Sequence, residues 1–425
     1  QAGQMAAQKH ANKEAISHLE QGMSLLKYVD NDEKRQDLEL DFNLTLGGVS
    51  IGYYGYTHPK VGIYFSRAQQ IAQNIDITPK LAFILYNLQT YYMLSEESKT
   101  TNDLIEYCLQ VGTSIEQGYL FNLFGLHIKG TVNVFLGQFK LANKFLKNAI
   151  EIYLPAINIP LELSPGGKVD ICVEVWWSVS LQISGFPDQA KSITKHHLEI
   201  AEKHKDSRTL YHIYAWAGWQ LIEAREWESA EKILKKYLPK AMEFGDPFFM
   251  LAGESFYNIS KAYQGDLDAF RHFVNVNLET ARKMGAKSIE SIFSSYVAEI
   301  YLLNGDFING LKWVNSSICL VNQSGYHMHT AELYRIKGLM LYGLNPQDPE
   351  IEINLTMSLE MSKKQFAKTY ELRAACDLAR LWTEKGKINE TKQLVSGIYD
   401  SFTEGFESID LKSAQNLLNE IENLR

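Results

Sequence analysis

Apolar residues along this chain return every three or four positions, and the stretches that show this are separated by short turns. The pattern is clearest in WWSVSLQISGFPDQAKSI, GWQLIEAREWESAEKIL, ISKAYQGDLDAFRHF, AEIYLLNGDFINGLKWV and LARLWTEKGKINETKQL. Each stretch joins two amphipathic helices through a turn that usually holds glycine. The turns fall at Gly185, Arg225, Gly265, Gly305 and Gly386; the first three steps are 40 residues long and the last is 81, two periods plus one. The copy inside that long step is AELYRIKGLMLYG, which ends in the longer turn LNPQDPEIE, and an earlier copy has its turn at Gly137. A repeated helix pair at this period predicts a stacked helical array, and alternating strand signals are nearly absent.

Small residues keep a fixed spacing within the copies. Gly130, Ala142 and Ala149 are separated by 12 and 7 positions, Gly218 and Ala230 by 12, and Gly3, Ala15 and Gly22 by 12 and 7 again. Two antiparallel helices joined by a tight turn cross at fixed points, where only a small side chain fits. The pattern resembles the tetratricopeptide repeat with lengthened helices. The expected fold is all-α: a right-handed superhelix of antiparallel helix pairs, about 18–20 helices long, with a repeat of about 40 residues. One stretch is poorly helical: residues 154–170, LPAINIPLELSPGGKVD, hold Pro155, Pro160 and Pro165. It reads as a loop between N-terminal repeats (1–153) and C-terminal repeats (171–425) of one continuous solenoid.

Composition changes this picture little. Of 425 residues 45 % are hydrophobic and 22 % charged, which supports a large core and excludes a disordered chain. A net charge of −8 argues against a nucleic-acid groove or an anionic membrane surface. Four scattered cysteines without a CxxC suggest reduced, mostly buried thiols, and hence a cytoplasmic protein. The chain opens on Gln1 in a helical pattern, without signal-peptide character, and reads as a fragment of something longer. Catalytic motifs fail one by one. SPGGKVD has Glu162 and Val169 where a phosphate loop needs Gly and Ser or Thr. GGVSIGYYG lacks the strand-then-helix setting of a dinucleotide site. His196–His197 and His327–His329 belong to no HExxH motif, and no cysteine sits in a motif typical of a nucleophile. The six NxS/T sequons, from Asn43 to Asn389, read as chance matches. No catalytic residue, metal or cofactor is therefore expected. Seven tryptophans read mainly as wedges between helices; Trp219, directly after Gly218, is the one expected to face a partner.

The two ends carry a second resemblance. ELRAA (371–375), LARLW (378–382), FTEGF with the following Asp410–Leu411, AELYRIKG (331–338) and the opening AGQ…ANKEAISHLEQGMSLL are similar to the tetratricopeptide-type C-terminal regions of bacterial multidomain signalling ATPases, often fused to class III adenylate or guanylate cyclase domains. The resemblance implies a regulatory or sensing region whose enzyme domains lie outside this sequence. The expected function is non-catalytic: a scaffold that binds a protein partner, an adjacent ATPase domain or a small-molecule ligand. Two alternatives are a segment of a cyclase or kinase enzyme and a stand-alone effector acting on a host protein. Counted from the crossing positions, a groove lined by first helices would expose His127, Thr131, His212, Trp219, Glu223, Tyr263, Glu299, Glu332 and Arg335. Glu332 and Arg335 could equally form a surface i,i+3 pair.

Overall fold

The computed structural model describes residues 2–8, 11–72, 79–115, 118–153, 168–203, 207–244 and 246–423. About 85 % of the chain is helical, with no strand among the described residues. The helices follow as antiparallel pairs: α1 (Ala2–Gln8) and α2 (Asn12–Leu25), α3 (Asp32–Tyr54) and α4 (Pro59–Ala72), α5 (Pro79–Leu94) and α6 (Ser98–Ser114), α7 (Tyr119–Phe135) and α8 (Phe139–Ile152). Then come α9 (Val169–Ser184) and α10 (Pro187–Lys203), α11 (Ser207–Glu223) and α12 (Trp227–Phe244), and α13 (Pro247–Tyr263). The partner of α13 is one helix interrupted by a π-turn, α14 (Leu267–His272) and α15 (Leu278–Lys283). The array closes with α16 (Lys287–Leu303) and α17 (Phe307–Ser324), α18 (Thr330–Leu344) and α19 (Glu350–Gln365), α20 (Lys368–Glu384) and α21 (Ile388–Tyr399), and the last helix, α22 (Ile409–Asn423). Helix α9 starts at Val169, inside the stretch read as a loop; residues 154–167 of that stretch lie outside the described residues.

First and second helices of a pair differ in how they are buried, and sequence pattern explains the difference. In α10 the buried residues are Pro187, Ala190, Thr194, His197 and Ala201, a single stripe at steps of three and four. Its partner α9 buries nearly every side chain from Val169 to Ser184. Second helices form the outer layer, wetted on one side; first helices line the superhelix axis and are covered on all sides. Turns end one helix and start the next with few residues. Gly265 and Gly305 take the left-handed conformation that terminates a helix, and the Asp266 and Asp306 side chains then accept backbone N–H bonds at the start of the following one. At the crossings, a Cβ on Gly130 would sit 2.5 Å from Leu146, one on Gly218 2.7 Å from Leu234, and one on Gly3 2.6 Å from Leu19. Gly22 lies half-buried against Phe42, and Ala15, Ala142, Ala149 and Ala230 are fully covered.

An open solenoid would leave its axis to solvent. Here successive turns of the superhelix touch through aromatic contacts, such as Phe135 stacked on Tyr326 with centroids 5.2 Å apart, and through hydrogen bonds. The Tyr326 hydroxyl donates to the Met93 carbonyl at 2.9 Å, across 233 positions of sequence. Met328 N–H donates to the Phe135 carbonyl at 3.0 Å, and the Thr369 hydroxyl to the Gln182 carbonyl at 2.6 Å. Glu404 accepts from the N–H groups of Asp188 and Gln189 at the start of α10, while Asp188 accepts from Gly405 N–H in return. The axis is therefore filled by the chain's own side chains. Cys108, Cys172 and Cys376 are buried, whereas Cys319 is exposed on α17.

Candidate functional site

All nine groove candidates lie on first helices: His127 and Thr131 on α7, His212, Trp219 and Glu223 on α11, Tyr263 on α13, Glu299 on α16, Glu332 and Arg335 on α18. Their exposure is corrected by the structure. Glu299 is partly covered and the other eight are buried, because the superhelix closes over the groove in which they were expected to stand open. The candidates divide into two sections of the axis, one ionic and one aromatic, with Trp219 between them.

The ionic section collects charges from five helices. Arg335 donates to both Glu332 oxygens at 2.9 and 3.0 Å, to Glu299 at 2.8 Å and to Asp377 at 2.9 Å. This i,i+3 pair is not on the surface: side-chain exposures of 5 % and 7 % place it inside the protein. Arg373 on α20 forms a two-pronged bond to Asp410 on α22, both arms 2.8 Å, and also donates to the Glu223 main-chain carbonyl at 2.7 Å. The Glu223 carboxylate receives the Tyr296 and Tyr370 hydroxyls and lies 3.0 Å from His329 Nε2. Tyr263 donates to Glu299 at 2.8 Å. Burial alone would push these carboxyls up. Instead His329, the Tyr296 hydroxyl and Arg373 hold Glu223 at about 2. Arg225, Arg335 and Arg373 do the same for Glu299, also at about 2, and Arg373 with Arg225 lowers Asp410.

Five carboxylates (Glu223, Glu299, Glu332, Asp377, Asp410) thus face four guanidiniums (Arg225, Arg335, Arg373, Arg380). One end of this network opens to solvent. Around a cavity of about 40 Å³ stand all four arginines with Asp377 and Asp410; the Arg380 side chain is half exposed and that of Arg225 about a quarter. Arg225 occupies a turn position that glycine holds in neighbouring repeats, and it takes the same left-handed conformation, φ +60°. A side chain in that conformation costs about 1–2 kcal/mol. The guanidinium so placed donates to Glu299 at 3.2 Å, while its buried Nε has no hydrogen-bond partner and lies 3.7 Å from Asp410.

The residues missed by sequence reasoning are Arg225, Tyr296, His329, Tyr370, Arg373, Asp377 and Asp410. Some carried a signal. Arg373 stands in ELRAA, Asp410 in the Asp410–Leu411 step, and Glu332 and Arg335 in AELYRIKG, so these three segments meet in space as one ion-pair network. The opening segment packs in a separate cluster at the N-terminal end. Arg225 was visible as the non-glycine among the turns.

The aromatic section holds His127, Thr131 and His212. Two adjoining cavities of about 50 and 20 Å³ share Trp176, Trp216 and Phe248 as a common wall. His127 Nδ1 lies 3.0 Å from the Tyr86 hydroxyl, and the His212 ring stacks on Trp216 with centroids 4.8 Å apart. Burial drives both imidazoles down to about 3, so both are neutral near pH 7. Trp219 is a wedge and not an open face: it is 1 % exposed, stacks on Phe256, meets Trp176 edge-on, and donates its indole N–H to the Tyr296 hydroxyl at 2.6 Å.

Among the described residues no group of three His, Cys, Asp or Glu side chains is placed to hold a metal ion, and no helix is long and apolar enough to cross a membrane. No family model matches the chain, and neither does any curated protein. Solved structures do. A Rap protein complexed with competence and sporulation factor superposes with a TM-score of 0.57 over 91 % of this chain and 97 % of its own, at 12 % identity. The chain therefore has the tetratricopeptide-like helical-repeat fold. Weaker likenesses are aspartyl phosphate phosphatase F from Bacillus subtilis (TM-score 0.44, 12 % identity, 91 % of this chain and 94 % of that one) and a signal transduction ATPase with a tetratricopeptide repeat sensor from Pyrococcus horikoshii (0.45, 15 %, 93 % and 55 %).

Proposed function

We propose that this chain is a non-catalytic regulatory module whose axis binds a protein or peptide, exchanging part of its internal ion-pair network for pairs to that partner. The network itself carries the reading. Burying a charge costs several kcal/mol, and apolar side chains of similar volume would close the axis as well or better. Ion pairs can instead be traded one for another when a charged partner enters, and their mouth already opens to solvent at Arg225 and Arg380. Arg225 adds weight, since backbone strain is retained there to place a guanidinium where glycine would have been easier. The Rap protein of the same fold was solved with competence and sporulation factor bound, which supports a ligand-responsive module. An attached signalling ATPase, implied by the resemblance of both ends, would be the recipient of the response.

Arg225→Gly tests this reading with little cost to the fold. It relieves the left-handed strain, about 1–2 kcal/mol, and removes the part-exposed guanidinium from Glu299 at 3.2 Å and Asp410 at 3.7 Å. That opposing effect is kept small because Arg335 and Arg373 still pair with those two carboxylates. Random peptides displayed on phage would be selected on the wild-type chain and retested on the variant. Selected peptides should bind less tightly as salt rises and lose affinity in Arg225→Gly, whose melting temperature stays near that of wild type. If no peptide is retained, or those retained bind the variant equally well, the axis is a structural core and the reading fails.

A further inference from the structure

The aromatic section of the axis is separate from the ionic mouth and has the makings of a site of its own. Its larger cavity is walled mainly by rings and aliphatic chains from α5, α7, α9, α11 and α13, among them Tyr86, Met93, Trp176, Trp216 and Phe249. Ligand pockets typically have this make-up, a mostly apolar wall with a few convergent polar groups. Besides the hydroxyls of Tyr56 and Tyr86, the polar side chains on this wall include Thr90, His127, Thr131, Cys172, His212 and the Trp216 indole. His212 is more than nine-tenths buried, yet neither of its ring nitrogens has a hydrogen-bond partner, and the Trp216 Nε1 donor beside it has none either. An unmet buried donor or acceptor costs about 1–3 kcal/mol, so three of them on two stacked rings are a concentrated liability. We infer that the paired cavities are a binding site for a small uncharged aromatic or heteroaromatic molecule that offers a hydrogen-bond donor and acceptor to His212 and Trp216. Charge is excluded by the wall. Both histidines are neutral, no carboxylate, lysine or arginine lines either cavity, and an ion would lose its hydration without compensation. The shared wall of Trp176, Trp216 and Phe248 gives flat faces to a ring, and the smaller cavity behind it is lined only by apolar and aromatic side chains. This inference is independent of the peptide-binding reading, because none of these groups belongs to the ionic network.

The test uses phenol, toluene and benzoate as probes, measured by calorimetric titration of the chain as it stands. Phenol and toluene are close in size, and benzoate adds a charge. Phenol should bind saturably, up to about tenfold tighter than toluene, since one hydrogen bond contributes about 0.5–1.5 kcal/mol. Benzoate should bind at least tenfold more weakly than phenol. Thr131→Leu places a larger side chain against the cavity and should abolish binding. His212→Phe keeps a ring on Trp216 but removes both nitrogens, and should erase the preference for phenol over toluene. Both variants would be checked by circular dichroism for wild-type helix content. The wild-type comparison of the three probes stands even if one of them misfolds. Absence of saturable phenol binding, a preference for benzoate, or phenol binding unchanged in folded Thr131→Leu would overturn the inference.

Discussion

Replacing Arg373 by Met should reveal how much of the closed superhelix depends on one guanidinium. Arg373 is buried, bonded twice at 2.8 Å to Asp410, once at 2.7 Å to the Glu223 carbonyl, and lies 3.4 Å from Glu332. Met matches its apolar stem and supplies no charge. Asp410 would then be left buried with only the Arg225 Nε at 3.7 Å, and stranding one partner of a buried pair costs about 3–5 kcal/mol. Asp410→Leu should cost a similar amount, because Arg373 keeps the neutral Glu223 carbonyl at 2.7 Å but only one carboxylate, Glu332, at the long distance of 3.4 Å. The double variant removes both charges together. It still leaves the Glu223 carbonyl without its donor, about 1–3 kcal/mol, but no stranded charge at this pair. The double variant should therefore be more stable than the two single effects added together, by at least about 2 kcal/mol. Urea unfolding followed by tryptophan fluorescence and by circular dichroism gives these values, provided the two signals coincide, since a repeat protein can melt in sections. Small-angle scattering adds a second readout, because the bond from Arg373 to the Glu223 carbonyl ties α20 to α11 across 150 positions. A loss below about 1 kcal/mol in Arg373→Met, or additivity within about 0.5 kcal/mol, would refute the reasoning.

Two further expectations concern pH and packing. His127 and His212 bind a proton near 6.5 when unfolded but only near 3 when folded, so the unfolded state holds more protons between those values and stability rises with pH across that window. The slope is about 1.4 kcal/mol per pH unit for each histidine. Glu223 and Glu299 act lower, losing their contribution as pH falls from 4.5 towards about 2. Between 4.5 and 6.5 burial also lowers His58 and His327 and raises Glu96 and Glu371, so the two buried histidines are isolated by difference from their double variant. Urea midpoints across that interval should flatten in His127→Phe/His212→Phe, and an unchanged slope would contradict the assignment. In packing, Gly218→Leu must displace Leu234 and should cost about 1–3 kcal/mol, while Trp219→Ala empties a fully buried site and should cost about 3–5 kcal/mol. Thermal melts that find Trp219→Ala the milder change would return Trp219 to an open groove.

What could be read in the amino-acid order was whatever repeats within one helix pair. Burial on a helix recurs every three to four residues, the turn residues Gly265–Asp266 and Gly305–Asp306 end one helix and cap the next, and small residues recur where helices cross; each is a local rule, so the all-α repeat fold was legible throughout. Of the positions expected to line a groove, Tyr263, Glu299, Glu332 and Arg335 bond to one another, and Glu223 joins them through Arg373, which bonds both its carbonyl and Glu332. Whether those positions faced water was not legible. A glutamate or arginine on a first helix reads the same in an open groove as in a closed one. Closure rests on contacts such as Tyr326 with Met93 and Thr369 with Gln182, 233 and 187 positions apart. Those distances follow from small rotations summed over many repeats, and no local pattern encodes the sum. Tertiary structure alone therefore decided that His329, Tyr370 and Arg373 would converge on Glu223, and that the candidates of an exposed groove would become the buried interior of the superhelix.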